Sequence, residues 1–237
     1  MVLSDGRTDI GCSRTSNEDA FAVEPELGLY LLADGMGGAQ AGERASGIAI
    51  ETIVRCVREA APSRTMEGLL GAIRVANQEV MAQAAANLAY QGMGTTVVAL
   101  LVDLPAAHVA SVGDSRVYLW RRSQLERVTS DQTWVNEVGR SLGLSEEQIH
   151  SHPFRNVLTM AVGSREGIEV HSHELTLEAG DRLLLSSDGL HGVVPETGLR
   201  QALGASKSLS ETTAELIQMA RRAGGPDNIT AVVVEVQ

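Results

Sequence analysis

Leu31-Leu32-Ala33-Asp34-Gly35 and Leu184-Leu185-Ser186-Ser187-Asp188-Gly189 are two versions of one local design. Each is a short run of apolar or small residues that ends in an aspartate and a glycine. Such a run, bounded by a turn signal, reads as a strand buried on both faces. The strand fixes the aspartate at a sheet edge. The glycine lets the backbone turn and come close to another group. Gly113-Asp114-Ser115 repeats the design after the apolar run at 109–112. Gly225-Pro226-Asp227-Asn228 sets an acid just before the last strand, and Asn17-Glu18-Asp19 sets two before the strand at Ala20. Asp-Gly is also a common turn, so any one of these sites alone has that plain reading. Strand ends that repeatedly carry acids suggest a shared site. If the acids meet, their charge demands cations, because neighbouring carboxylates do not all stay ionised unpaired. Oxygen ligands without cysteine or histidine select hard ions, Mg²⁺ or Mn²⁺ over Zn²⁺. Shared carboxylates suit a pair of ions about 3.5–4 Å apart.

Outward from these motifs, strand-like runs open the chain at 8–11, 20–23 and 27–33. Ala45, Ile48, Ile53, Cys56 and Val57 keep a three/four spacing that predicts a helix over 41–60. Leu69, Leu70, Ile73, Ala76, Val80 and Ala84 predict a second over 66–87. Strands are expected at 95–102, 108–112, 116–120 and 125–128, then at 168–175, 182–186 and 230–236. A third helix is expected at 211–222. The stretch 130–164 is weakly periodic, with a short helix expected near 145–150. Strands arriving in runs argue for an α+β fold with antiparallel sheets and against alternating βαβ units. No linker, charge block or solenoid repeat divides the chain, so one domain over 1–237 is the expectation.

Hydrophobic residues make up 43% and charged residues 21% of 237, which excludes a wholly disordered chain and supplies a sizeable core. Nineteen basic against 30 acidic residues give a net charge of −11, so a basic footprint for nucleic acid is absent. Aromatics at 3% provide little for base stacking. Cys12 and Cys56 form no CxxC pair and suit a reduced compartment, with Cys12 read as a small buried residue. No basic-then-apolar leader opens the chain, and no apolar run approaches the ~18 residues of a membrane span. A cytoplasmic protein without a membrane partner is expected. Gly35-Met36-Gly37-Gly38 misses the dinucleotide fingerprint, because Gln40 stands where the third glycine belongs. His150-x-His152 and His171-x-His173 lack supporting ligands and read as surface or flap histidines, and His191 as structural. Trp134 and Phe154 read as anchors of the mixed segment.

Arg14-x-x-Asn17-Glu18-Asp19, Ala33-Asp34-Gly35-Met36-Gly37-Gly38, Met93-Gly94-Thr95-Thr96, Val112-Gly113-Asp114-Ser115-Arg116, Ser187-Asp188-Gly189 and Asp227-Asn228-Ile229-Thr230 follow one another along the chain. In this order they resemble the PPM (PP2C-like) metal-dependent protein phosphatases, compact bacterial type, over nearly the whole chain. The resemblance implies a four-layer αββα sandwich, two antiparallel sheets flanked by helices. It implies hydrolysis of phosphoserine and phosphothreonine, and of aryl phosphates, by attack of a metal-bridging water. It implies two core Mg²⁺ or Mn²⁺ ions and a weaker third. Asp34 would bridge the two ions, the Gly35 carbonyl would ligate one, and Asp188 and Asp227 would complete the first ion's shell. Glu18 and Asp19 would hold bound waters or ligate the second ion. Asp114 with Asp188 would form the weaker site. Arg14 would bind the substrate phosphate, and Asn228 would orient Asp227 or a water. Residues 131–164 would include a flap that meets protein substrates, with Asp131 keeping a family acid. The expected partners are phosphorylated proteins, substrates of bacterial serine/threonine kinases, and the expected state is a monomer.

The pattern also has departures. Met36, Ala39 and Gln132 stand where many members carry histidine. Protonation of a leaving alkoxide then has no evident side-chain donor. A pseudophosphatase that binds phosphoproteins without turnover is the alternative expectation.

Overall fold

Leu29 through Ala33 are almost wholly excluded from solvent because they pair on both edges and pack on both faces. The computed structural model describes residues 1–61, 63–139 and 141–237, with the side chains of residues 39, 146, 150 and 151 outside that description. The chain runs through β1 (Val2–Asp9), β2 (Asp19–Glu24) and β3 (Leu29–Met36) into the long helices α1 (Ala39–Ala60) and α2 (Met66–Ala86). Next come β4 (Gly94–Thr95), β5 (Val97–Asp103), β6 (Ala106–Val112), β7 (Arg116–Arg121) and β8 (Gln124–Arg127). After α3 (Glu146–Ser151) follow β9 (His171–Thr176) and β10 (Arg182–Ser186). The helices α4 (Asp188–His191), α5 (Glu196–Gly204) and α6 (Leu209–Arg222) precede the closing β11 (Ile229–Val236).

The strands form two antiparallel sheets, ordered β1-β11-β10-β7-β8 and β2-β3-β5-β6-β9, with β4 beside β3. Successive side chains on a strand point to opposite faces, and that alternation makes the layers. Leu29, Leu31 and Ala33 of β3 pack with α1 and α2, while Tyr30 and Leu32 pack between the sheets. On β11, Val232, Val234 and Val236 face the same inter-sheet core, and Ile229, Ala231 and Val233 face α4, α5 and α6. Four layers result: helices, sheet, sheet, helices. Ser208 and Glu211 form a reciprocal cap that starts α6, and Thr65 caps α2. Among the described residues, no helix is long and apolar enough to cross a membrane.

The differences from expectation have local causes. Strand β3 runs on through Asp34 and Gly35 to Met36 because Gly35 and Met36 pair with Thr95 and Gly94. Strand β1 begins at Val2 because it pairs with β11 along its full length. Strand β9 begins at His171 and not at 168. Helix α5 was not expected: only Leu199, Ala202 and Leu203 mark its stripe, and Gly198 and Gly204 lower its propensity. In the weakly periodic stretch, a wide helical turn at Val135–Gly139 precedes α3. A single bridge from Thr133 to Leu158 closes this stretch on itself, and one from Thr95 to Val162 ties it to the body.

Candidate metal centre and phosphate site

The acids meet where the two sheets end side by side. Asp19 opens β2 and Asp34 lies directly opposite it on β3. Ser187 and Asp188 follow β10, and Asp227 precedes β11. Asp19 joins the two sheets: its Oδ2 accepts from the Ser187 hydroxyl at 2.8 Å and from the Thr230 hydroxyl at 2.6 Å. Its other oxygen, Oδ1, is buried without a hydrogen-bond partner. The carboxyls of Asp34 and Asp188 lie close enough to influence each other's protonation. Backbone positions are fixed as firmly. The Asp34 N–H donates to Thr96 Oγ1 at 2.9 Å, and the Asp34 carbonyl accepts from the Thr95 hydroxyl at 2.9 Å.

Two glycines permit this crowding. A Cβ on Gly35 would lie 2.2 Å from the Gly42 carbonyl oxygen, so only glycine lets α1 start this close to β3. A Cβ on Gly189 would lie 1.9 Å from the Asn228 carbonyl oxygen, so only glycine lets α4 lie against the approach to β11.

Asn228 clamps the loop that carries Arg14 and Glu18. Its Nδ2 donates to the carbonyls of Ile10 and Ser16 at 3.0 and 2.9 Å, and its Oδ1 accepts from the Glu18 N–H at 2.9 Å. Its own N–H donates to Asp227 Oδ1 at 2.8 Å. Arg14 donates through Nη2 to Asp227 Oδ2 at 2.6 Å, with its side chain half exposed. Glu18 lies against the start of α1, and burial raises its pKa.

Asp34, Asp114 and Asp188 remain partly open to solvent, as a binding cleft requires, yet the surrounding protein strips much of their hydration. Burial first, then mutual repulsion, pushes Asp19 to about 7, Asp114 to about 8 and Asp188 to about 6. Burial, then repulsion by Asp19, Asp188, Asp114 and Asp227, raises Asp34 well above the usual carboxylate range. Among the described residues, no three Asp, Glu, His or Cys side chains already converge on one point as a closed ligand set. They stand as pairs, Asp34 with Asp188 and Asp227 with Arg14. The orphaned Asp19 oxygen and the uncompensated negative charge fit hard divalent cations with oxygen ligands.

Asp131 sits apart from this group. It accepts a two-point ion pair from Arg116 at 2.9 and 2.7 Å and reaches the acids only through its repulsion of Asp114. Gln132 is buried and bridges the Gly113 N–H at 2.8 Å to the Glu169 carbonyl at 3.1 Å. It braces the loop behind Asp114 and is not an open position that lacks a histidine. The Ala39 side chain lies outside the described residues. Cys12 is exposed, against expectation, because it rides on the loop packed against Gly225 instead of entering the core.

Among the described residues, no histidine joins a group of three that could hold a metal. His152 stacks on Trp134 at 4.8 Å, with Phe154 edge-on to Trp134 at 5.6 Å, while the His150 side chain is outside the description. His171 neighbours Glu169 at 3.7 Å on an edge strand. His191 hydrogen-bonds Ser186 through Nδ1 at 2.9 Å. Burial, helped by Arg116 and Arg127, drives its pKa well below the usual imidazole value. Sequence reasoning gave no role to Ser187 and Thr230, although both lie inside the quoted motifs. A hydroxyl beside a motif aspartate was the available signal.

The sequence profile of the family described as Protein phosphatase 2C matches residues 12–233. The chain is 36% identical over 236 residues to the serine/threonine phosphatase Stp of Listeria monocytogenes, covering 97% of this chain and 94% of that protein. The crystal structure of the Mycobacterium tuberculosis serine/threonine phosphatase PstP/Ppp superposes with a TM-score of 0.92 at 34% identity, covering 100% of this chain and 99% of that one. A crystal structure of the PstP catalytic domain in complex with two manganese ions superposes with a TM-score of 0.90 at 33% identity, covering 100% and 99%.

Proposed function

The chain belongs to the protein phosphatase 2C family, and from that premise we propose how its own residues carry out the reaction. It is a metal-dependent serine/threonine protein phosphatase that uses Mn²⁺ or Mg²⁺. The pseudophosphatase alternative is set aside, because the named relatives are phosphatases and the acids meet here. The observation that supports the site assignment is that Asp19 and Asp34 pair across β2 and β3 while Asp19 bonds Ser187, the residue before Asp188, and keeps one buried oxygen without a partner.

Asp34, the Gly35 carbonyl, Asp188 and Asp227 would hold one cation. Asp34 with Glu18 and Asp19 would hold the second, directly or through water. Asp114 with Asp188 is the place for a weaker third. When bound, the cations lower the pKa of water and neutralise phosphoryl oxygens. The protein's own part is positioning. Arg14 keeps N–H donors beyond the one committed to Asp227, and a planar guanidinium forks onto two phosphoryl oxygens. The Asp227 contact holds that fork at the cleft before substrate arrives, so little ordering remains at the moment of reaction. Asn228 fixes both partners by clamping their two loops together. No cysteine at the centre offers a nucleophile, since Cys12 points to Arg221.

The whole chain acts as one catalytic domain, with 131–164 as the flap over substrate. Its substrates are phosphoproteins made by bacterial serine/threonine kinases, and it works as a cytoplasmic monomer in signal transduction. The test is phosphate release from a phosphothreonine peptide. Release with Mn²⁺ or Mg²⁺, its loss in EDTA and its loss in Asp34→Asn are expected. Full turnover in chelator contradicts the proposed centre.

A further inference from the structure

Beyond the cleft, on the flap side, a groove of about 730 Å³ runs between the flap and the turn that follows α4. Its charged lining is Arg116, Arg127 and Arg155 against Asp131 and Glu196. Three guanidinium groups against two carboxylates leave it net positive, in a chain whose net charge is −11. The positive field is felt by His191 on the groove wall, which Arg116 and Arg127 help hold neutral. The three arginines are not equally engaged. Arg116 is taken up by Asp131, and Arg127 reaches Asp131 only at 3.5 Å. Arg155 is exposed and has no side-chain partner among the described residues. The Trp134, His152 and Phe154 rings pack together and brace the segment that carries it.

The groove adjoins the reacting centre. Asp188 opens the single turn of α4 and His191 closes it, so about 5 Å along that helix separates ligand from groove wall. An extended peptide advances roughly 3.3 Å per residue. A residue about one or two positions from a phosphoserine held over Asp188 therefore reaches the groove wall. A guanidinium with no side-chain partner among the described residues calls for an anion at that place.

We propose that this groove is a second anion subsite, which selects protein segments carrying a further phosphate or carboxylate about one or two residues from the phosphomonoester that is cleaved. It rests on the phosphatase reading above and adds the substrate class. Three phosphothreonine peptides test it: one with neutral flanks, one with flanking glutamates, and one with a flanking non-hydrolysable phosphonate. Each is assayed with Mn²⁺ against wild type, Arg155→Ala and Arg155→Lys, with an aryl phosphate as control. The charged-flank peptides are expected to exceed the neutral one by about five- to tenfold in kcat/KM, mainly through KM. The ratio falls to about one in Arg155→Ala and returns in part with Arg155→Lys, while aryl phosphate turnover stays the same. A gain with the phosphonate alone assigns the subsite to a second phosphate, and equal gains assign it to acidic flanks. Turnover of the aryl and neutral substrates with no charge preference, or a preference that survives Arg155→Ala, overturns the subsite and leaves the phosphatase reading standing. No turnover of either overturns both.

Discussion

At the scale of single residues, the site works by placing acids that repel one another and then restraining them with neutral hydroxyls. Ser187 and Thr230 both donate to one oxygen of Asp19 and leave the other buried and unpartnered, free for a cation of the proposed centre. Groups that orient a metal ligand typically contribute about 10–100-fold to metal affinity. Thr230→Val keeps the shape of the side chain and removes the donor. We expect it to weaken Mn²⁺ binding by about that factor. Unchanged Mn²⁺ affinity, measured by calorimetry, would separate Asp19 from the centre. The absent imidazoles lead to a second expectation. An aryl phosphate has a good leaving group, whereas a serine or threonine alkoxide needs a proton, and a positioned acid typically gives ~10²–10⁴-fold. The chain should therefore favour aryl phosphates over phosphothreonine peptides in kcat by a wide margin, and Ala39→His should narrow it through the peptide rate. Equal kcat values for both substrates in wild type would refute this. Gln132→His belongs to a different class. Gln132 bridges two backbone groups in the interior, so its replacement costs stability and does not restore an acid.

At the scale of elements, the centre depends on backbones that nearly touch. Gly189 holds α4 against Asn228, and so holds Asp188 near Asp227. In Gly189→Ala the new methyl must push the two apart. Overpacking of this kind costs about 1–3 kcal/mol, and we expect activity to fall far more than that loss of stability explains. A crystal structure or melting curve indistinguishable from wild type, with full activity, would contradict the close-approach argument. Much of this was legible beforehand. The buried runs ending at Asp34 and Asp188 are long enough and apolar enough to be read as strands, and the stripes of α1 and α2 are regular. The rest was not, for physical reasons. Residues Gly35 and Met36 belong to β3 only because β4 lies beside them, which is a tertiary fact. Helix α5 is short and interrupted by glycine, so packing against the sheet decides it and propensity does not. Residues 131–164 are held by single bridges, an aromatic stack and the contacts of Asp131 and Gln132 to distant residues, none of which has a period to find. The roles of Asp131 and Gln132 were invisible for the same reason: what they do depends on Arg116 and Gly113 arriving from elsewhere.

At the scale of the whole molecule, the crowded acids store unfavourable charge that cations in the proposed centre would relieve. Asp19, Asp114 and Asp188 rise to about 7, 8 and 6 in the folded chain, against about 4 for an unfolded aspartate. Between those limits the folded state binds more protons than the unfolded one, so stability falls as pH rises. Asp181 works the other way. Despite burial, its hydrogen bonds from Arg121 hold it below the ordinary value, and its contribution is lost only under more acidic conditions. The metal-free protein should melt at a lower temperature at pH 8 than at pH 5.5. Mn²⁺ should raise the pH 8 value most, because its ligands are then deprotonated. A ligand that binds only the folded state at ~1,000 times its Kd adds about 4.1 kcal/mol. A metal-free melting temperature that is flat between these pH values would argue that the acids are not in one another's company.

The union of those acids into one cation centre is tested most directly by calorimetric titration of the metal-free protein with Mn²⁺ at pH 8, in wild type and in Asp34→Asn. We expect at least two ions to bind per wild-type chain, and Asp34→Asn to lose the tight binding while remaining folded. No binding by the wild type, or the same isotherm for both proteins, would contradict it.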